Sequence, residues 1–331
     1  MKKISAILML FVILFSFVSC NNTSEEYSEY SFMAMDTLIN IRLYLNEKDA
    51  EPLFEKCENL VSDIEGIISS HDTESEIYKF NTSQTGIDNI SEQTKTIIEF
   101  ALEVNDKIGD DFDITAAPLF FMWQSCAELN QLPTAELINQ TKSHIGYDKI
   151  SISENSLLKS DPLCEVDLGG IGKGYALDKL KQLLVNEGIE NALINFGGNI
   201  TVIGAKPDKS NFKIGIKDPV DNSKSTCYIP LNNSTVAVSG VYERYVTING
   251  VKYHHIIDPK TGYPADSGLL SVAVVCDDST LADTLSTALL IMGKDKALAL
   301  YEKQTYKFEA IFINTDNEVS VTKGLENIII Y

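Results

Sequence analysis

Short apolar runs at residues 192–196, 212–217, 235–238, 245–248, 251–254 and 270–275 crowd the second half of the chain, with no regular strand–helix–strand alternation linking them. Between two of these runs stands Asn249-Gly250. That dipeptide accepts the two positive φ angles a type I′ hairpin needs. Residues 308–314 and 319–322 predict another hairpin at the end of the chain. Residues 38–45 alternate as a half-buried strand does, with Ile39, Ile41, Leu43 and Leu45 on one side and Asn40, Arg42 and Tyr44 on the other. Helices are interspersed with these strands. Leu53, Cys57, Leu60, Ile64 and Ile67 recur at steps of three and four, the signature of an amphipathic helix. Ile97, Ala101, Leu102, Val104 and Ile108 suggest a second, and Ala176, Leu177, Leu180, Leu183 and Leu184 a third that closes near Gly188. A fourth runs from about residue 280 to 292, with Ser279 as candidate N-cap and Gly293 as its stop. Hairpins and helices mixed in this manner predict an α+β fold.

The N-terminus reads as an address. Lys2 and Lys3 precede an apolar run over residues 4–18. That run is shorter than the roughly 20 residues a bilayer-spanning helix needs. With Ser19 before Cys20, it fits a secretory signal. Phe17-Val18-Ser19-Cys20 resembles a bacterial lipobox, with Phe where Leu is usual. The expected organisation is therefore a lipoprotein signal peptide over 1–19, a polar tether over 20–30 lipidated at Cys20, and one domain over 31–331. Such an anchor holds a domain at a membrane surface and leaves it otherwise soluble. The expected location is the extracytoplasmic side of the cell membrane.

Composition narrows the partners. A 44% hydrophobic share over 331 residues can bury a sizeable core, which argues against a disordered or multi-span membrane protein. The net charge of −20 repels phosphate backbones, so nucleic-acid binding is not expected. Arginine occurs only at Arg42 and Arg244, so a polyanionic ligand would need a local cation, which points to a metal. Cys57, Cys126, Cys164, Cys227 and Cys276 show no CxxC spacing. They read as small buried hydrophobes rather than zinc ligands or a disulfide framework.

Four segments carry candidate chemistry. Asp167-Leu168-Gly169-Gly170-Ile171-Gly172-Lys173-Gly174-Tyr175 places four glycines before a helix. Either a ligand comes close to its backbone, or the loop needs positive φ angles. It is not a P-loop, because Gly174 stands where Ser or Thr would hold Mg²⁺. Asn195-Phe196-Gly197-Gly198-Asn199 ends an apolar strand and allows a close backbone approach, a bulge or a simple turn. His254 and His255 follow the predicted hairpin and, in register, point to opposite faces. One can then be structural and the other a base, and the adjoining turn with Pro259, Gly262 and Pro264 favours His255 as the base. Asp258 could orient it, or serve as a turn residue before proline. Finally, Asp283 and Thr287 stand four residues apart on the predicted helix, with Ala282 and Ser286 leaving room beside them. A carboxylate and a hydroxyl, completed by a loop carbonyl and phosphate oxygens, make a hard-oxygen Mg²⁺ site. The plainer alternative is an Asp favoured by the helix dipole.

Taken in order, these segments resemble the ApbE family, the FAD:protein FMN transferases. Met35-Asp36-Thr37 resembles its early Met-Gly-Thr motif, with Asp in glycine's place. Ser70-His71, then Ser75-Glu76-Ile77 and Phe80-Asn81, resemble a following stretch, with His71 where Tyr is common. Phe112-Asp113-Ile114-Thr115, Pro118-Leu119 and Trp123 resemble another, and the four segments above match closely. The resemblance covers nearly the whole chain after the signal. It implies a T-fold-like mixture of helices and antiparallel sheets around one flavin site. It implies cleavage of the FAD pyrophosphate and transfer of FMN to a Thr or Ser hydroxyl of a target protein, with release of AMP. Targets would be flavoprotein subunits of membrane redox complexes. Metal positions would be Asp283, Thr287 and the Gly170 carbonyl, holding Mg²⁺ (or Mn²⁺ or Ca²⁺). Flavin contacts would fall on Met35, His71, Asp111, Phe112, Asp113, Asp167, Lys173 and Ile257, and His255 would be the catalytic base. The alternatives are an FAD pyrophosphatase that yields FMN and AMP, and a non-enzymatic FAD-binding lipoprotein.

Overall fold

The computed structural model describes residues 26–331. The signal segment and Cys20 lie outside the described residues. The chain runs β1 (Ser28–Ala34), β2 (Thr37–Leu43), α1 (Glu47–Ile68), α2 (Glu76–Thr82), β3 (Gly86–Ile87), α3 (Glu92–Ile108), α4 (Ala117–Glu128) and α5 (Ala135–Lys142). It continues through β4 (Ile150–Ser153), β5 (Ser156–Lys159), α6 (Gly172–Asn186), β6 (Ala192–Phe196), β7 (Asn199–Ile203), β8 (Phe212–Lys217) and β9 (Ser225–Leu231). It ends with β10 (Thr235–Gly240), β11 (Tyr245–Ile248), β12 (Val251–His254), β13 (Leu269–Cys276), α7 (Ser279–Met292), α8 (Lys294–Glu302), β14 (Glu309–Asn314) and β15 (Val319–Val321).

Eight strands form one sheet in the order β1-β2-β6-β7-β10-β13-β14-β15, and each neighbouring pair is antiparallel. The α+β expectation holds. Strand alternation sorts this sheet's side chains between two apolar layers. Val272, Val274, Ala310 and Phe312 join the core beneath the helices. Ala273, Ile311 and Ile313 point the other way, to a second layer closed by Phe212, Ile214 and Ile229 of the β8–β9 hairpin. Both faces are thus covered where these layers lie. A smaller cluster joins Leu119, Met122, Trp123 and Cys126 of α4 to Ile138, Ile248 and Ile257. It fixes the isolated β11–β12 hairpin to α4 and α5. The hairpin's Asn249 and Gly250 both take positive φ, as a type I′ turn requires.

Three expectations shift. The tether was placed up to Tyr30, yet β1 begins at Ser28, because Tyr30 has somewhere to pack: its ring stacks on Phe54 at 5.4 Å and its hydroxyl donates to Glu58. Ser279 is the first helical residue of α7, and the cap is Asp278, whose carboxylate accepts from the Leu281 N–H. Asp178 of α6 adds a second carboxylate there, accepting from the Ser279 and Thr280 N–H groups. Both carboxyl groups satisfy orphan donors at the helix start, and burial with the neighbouring Asp178 raises the Asp278 pKa. In α1 the buried stripe runs through Phe54, Val61 and Ile68, leaving Leu60 and Ile67 only half-buried. Among the described residues Cys57, Cys126, Cys164, Cys227 and Cys276 are free and buried, as expected.

Helix α7 is buried almost all round, which its small residues Ser279, Ala282, Ser286 and Ala288 permit. It packs on β10 and β13 on one side and on α6 on the other. The α6–α7 approach depends on Gly174. A Cβ there would stand 2.3 Å from the Ser279 carbonyl oxygen and 2.7 Å from the Asp283 Cβ. Gly174→Ala must therefore push the helices apart, at a cost of about 1–3 kcal/mol. Thermal unfolding should show Tm lowered by several degrees; an unchanged Tm would mean that the junction is loose.

Candidate active site

The α6–α7 junction brings most of the expected site residues together. Asp283 is 2% exposed. Its Oδ2 accepts from the Gly174 N–H at 2.9 Å and its Oδ1 from the Asn199 side-chain amide at 2.7 Å. Lys173 Nζ stands 3.5 Å from Oδ1 and donates to the Gly169 carbonyl at 3.1 Å. One turn along α7, the Thr287 hydroxyl is 3.0 Å from that of Ser239, which in turn meets the Ser286 hydroxyl at 2.8 Å. Gly170 lies against this turn: a Cβ on it would stand 3.6 Å from Thr287 Oγ1 and 3.3 Å from the Phe112 ring.

The four glycines of the loop are there for closeness. None of Gly169, Gly170, Gly172 and Gly174 has a positive φ, so the strained-loop alternative falls away. Each instead abuts something: Gly169 the Asp167 carboxylate, Gly172 the side chains of Ile68 and Met35. The Gly197-Gly198 pair is both a turn and a close approach. Both residues have positive φ, and a Cβ on Gly197 would fall 2.2 Å from Thr37 Oγ1. Asn199 closes this hairpin opposite Phe196 and is 1% exposed.

His255 follows β12 and is half-buried. Its Nδ1 is 3.0 Å from the Arg244 carbonyl oxygen. A carbonyl only accepts, so Nδ1 carries the proton and Nε2 keeps its lone pair. Burial pushes the imidazole pKa down to about 4, and the positive charges of Arg244 and Lys173 act in the same direction. His255 is therefore neutral near pH 7, the form a base requires. His254 has the structural role of the pair, its Nε2 lying 3.0 Å from the Ala265 carbonyl. Asp258 is a turn residue: its Oδ1 accepts from the Lys260 N–H at 2.8 Å, and the His255 ring is oriented by Arg244 instead.

Of the other expected flavin contacts, Met35, Phe112 and Asp167 lie against the glycine loop of this junction, and the rest are held by separate partners. Met35 and Asp36 form the β1–β2 turn with positive φ at both positions, which accounts for the glycine at the second position in the resembling motif. The Met35 N–H donates to Glu65, and Arg244 reaches the Asp36 carbonyl at 3.4 Å. Asp167 is held by the Gly169 N–H and the Ser70 hydroxyl. Asp111 pairs with Lys260 at 2.8 Å, Phe112 is 5% exposed, and Asp113 accepts from the backbone and hydroxyl of Thr115. Burial raises the Asp113 pKa. His71 is exposed beside the Phe121 ring, at 6.2 Å. The Ile257 side chain packs into the α4 cluster.

Reading the sequence missed Ser239, Ser286 and Arg244 as site residues. In the sequence Ser286 is only a small neighbour of Asp283 and Thr287, and Ser239, near the end of β10, has no motif around it. Arg244, one of two arginines in an acidic chain, was the available signal.

Could a cation sit here? Among the described residues no cluster of three or more His, Cys, Asp or Glu could hold a metal. A site at the junction must therefore combine the one Asp283 carboxylate with neutral oxygens, those of Thr287 and the adjoining Gly170 backbone. Only hard oxygen donors are present in that set, which suits Mg²⁺, Mn²⁺ or Ca²⁺ and not zinc or copper. The buried anion has no full counter-charge closer than Lys173 at 3.5 Å. The residues fit such an ion.

The model of the ApbE family matches residues 35–312. An FAD:protein FMN transferase of Vibrio cholerae is 31% identical over 86% of this chain and 86% of its own length. One of Haemophilus influenzae is 30% identical over 96% and 95%. Among solved structures, the ApbE protein of Thermotoga maritima superposes with a TM-score of 0.84 at 30% identity, covering 92% of this chain and 99% of that one. The flavin transferase ApbE of Vibrio cholerae superposes at 0.81 with 28% identity and the same coverage. The family model spanning most of the chain, together with these relatives, shows that the chain belongs to the ApbE family.

Proposed function

We propose that this chain is an FAD:protein FMN transferase. The observation that carries the reading is the junction itself, where Asp283, Thr287 and Gly170 adjoin Lys173, with the neutral base His255 within electrostatic reach of that lysine. Bonds to phosphorus are transferred by positioning and charge neutralisation more than by covalent help from the protein. Lys173 and Arg244 supply positive charge for the diphosphate. Asp283, Thr287 and the Gly170 backbone would hold a divalent ion, Mg²⁺ by preference, which would supply charge neutralisation at the phosphate oxygens. His255 Nε2 takes the proton from the acceptor Ser or Thr hydroxyl as its oxygen bonds to the FMN phosphorus. The bond from that phosphorus to the bridging oxygen breaks, and AMP leaves.

The acceptors in this reading are flavoprotein subunits of membrane redox complexes. A lipid at Cys20 would hold the domain beside them on the extracytoplasmic surface. Support comes from the sequence of residues 1–20 alone.

The test mixes the purified chain with FAD, Mg²⁺ and an acceptor protein or peptide bearing Ser and Thr, and reads the acceptor by mass spectrometry. An FMN adduct that disappears with a chelator is expected. Release of FMN and AMP without an adduct would replace transfer by hydrolysis. FAD retained without turnover would leave a binding protein.

A further inference from the structure

We propose that Trp123 is the positioning residue that holds His255 in register for proton transfer. The inference rests on the transferase reading. His255 lies in a looped segment that leaves β12 and folds back on itself, with the Ala265 N–H donating to Ile256 and the Asp258 N–H to Tyr263. This segment is outside the main sheet, so the sheet does not fix it. Trp123, on α4, grips it on both sides of the histidine. Its ring packs on Tyr253 at 5.1 Å, two residues before His255. Its indole N–H donates to the Gly262 carbonyl at 2.9 Å, seven residues after it. The side chain is 3% exposed, so neither contact is shared with solvent.

The segment leading into that helix also ties the loop of the base to the expected flavin contacts. Asp111, six residues before α4, pairs with Lys260 in the looped segment. Loosening Trp123 would therefore misplace Nε2 relative to the acceptor oxygen while leaving the α6–α7 junction intact. A displacement of about 1 Å at a reacting group can cost up to ~100-fold in rate.

The experiment is a double-mutant cycle on the full chain. Trp123→Phe keeps a ring against Tyr253 and deletes the indole donor. It should lower kcat about tenfold with KM for FAD changed less than twofold. In the His255→Gln background the same substitution should lower kcat by less than about twofold, since there is no base left to position. A purely structural role would cost the same factor in both backgrounds, and that additivity would overturn the proposal. So would an unchanged kcat in Trp123→Phe alone. Tyr253→Leu, which removes the stacking partner from the other side, should reproduce the kcat loss; full activity there would also overturn it. A wild-type chain that transfers no FMN overturns the transferase reading, and the proposal with it.

Discussion

Asp283→Asn should still fold, with a smaller loss of Tm than Asp283→Ala, and transfer FMN at less than about one-thousandth of the wild-type rate at saturating Mg²⁺. Charge stabilisation by a bound cation is worth several kcal/mol, and each 1.36 kcal/mol is a factor of ten. The asparagine keeps the size of the side chain and one oxygen for the Gly174 N–H. It loses the anion and turns a donor towards the amide of Asn199. Asp283→Ala separates the two contributions. It leaves both of those donors buried without an acceptor, each costing about 1–3 kcal/mol, so it should lose stability as well as activity. The measurement is a transfer assay with a Mg²⁺ titration, beside thermal unfolding of both variants. If Asp283→Asn kept Mg²⁺-dependent transfer within tenfold of wild type, the cation would be held elsewhere and the junction would be structural.

How legible was this site in the sequence? Asp283 and Thr287 could be paired because helix periodicity is local: four residues apart on any α-helix means one face. The strands around Asn249-Gly250 were legible for the same reason, the turn chemistry being set by two adjacent residues. What the sequence did not reveal is which segments meet. That Gly174 buttresses α7, that Asn199 reaches Asp283 and that Ser239 reaches Thr287 are contacts between residues 109, 84 and 48 positions apart in the chain. Spacing along one segment carries no information about them; the resemblance put the segments in one site without saying how they touch. The positive-φ explanation of the glycine loop failed for a related reason. Glycine is used both for backbone freedom and for lack of a side chain, and only the neighbours distinguish the two. The tether boundary missed because composition around Tyr27 and Tyr30 is polar, whereas Phe54 and Glu58, which receive Tyr30, belong to another element.

His255→Gln should lower kcat by about 10²–10⁴-fold with little change in KM for FAD, the range that a positioned proton acceptor contributes. Glutamine can still donate to the Arg244 carbonyl, so the local hydrogen bond is replaceable. It offers no basic nitrogen, so the proton transfer is not. The pH profile gives a second signature. An ordinary histidine near 6.5 would halve its basic form at that pH. Burial holds His255 near 4, so kcat/KM should stay flat from about pH 8 down to about pH 5 and fall only below that. The sign of the stability effect follows from the same shift. Between about pH 4 and 6.5 the unfolded chain binds a proton on this ring and the folded chain does not. Stability from this group is therefore full above about 6.5 and decreases as pH falls through that window. Replacing His255 by Gln removes the titrating ring from both states, so the variant should lose less stability than wild type between pH 7 and 5. An acid limb centred near 6.5 that persists in His255→Gln would assign the proton acceptor to another group, and a kcat within threefold of wild type would remove His255 from the reaction altogether.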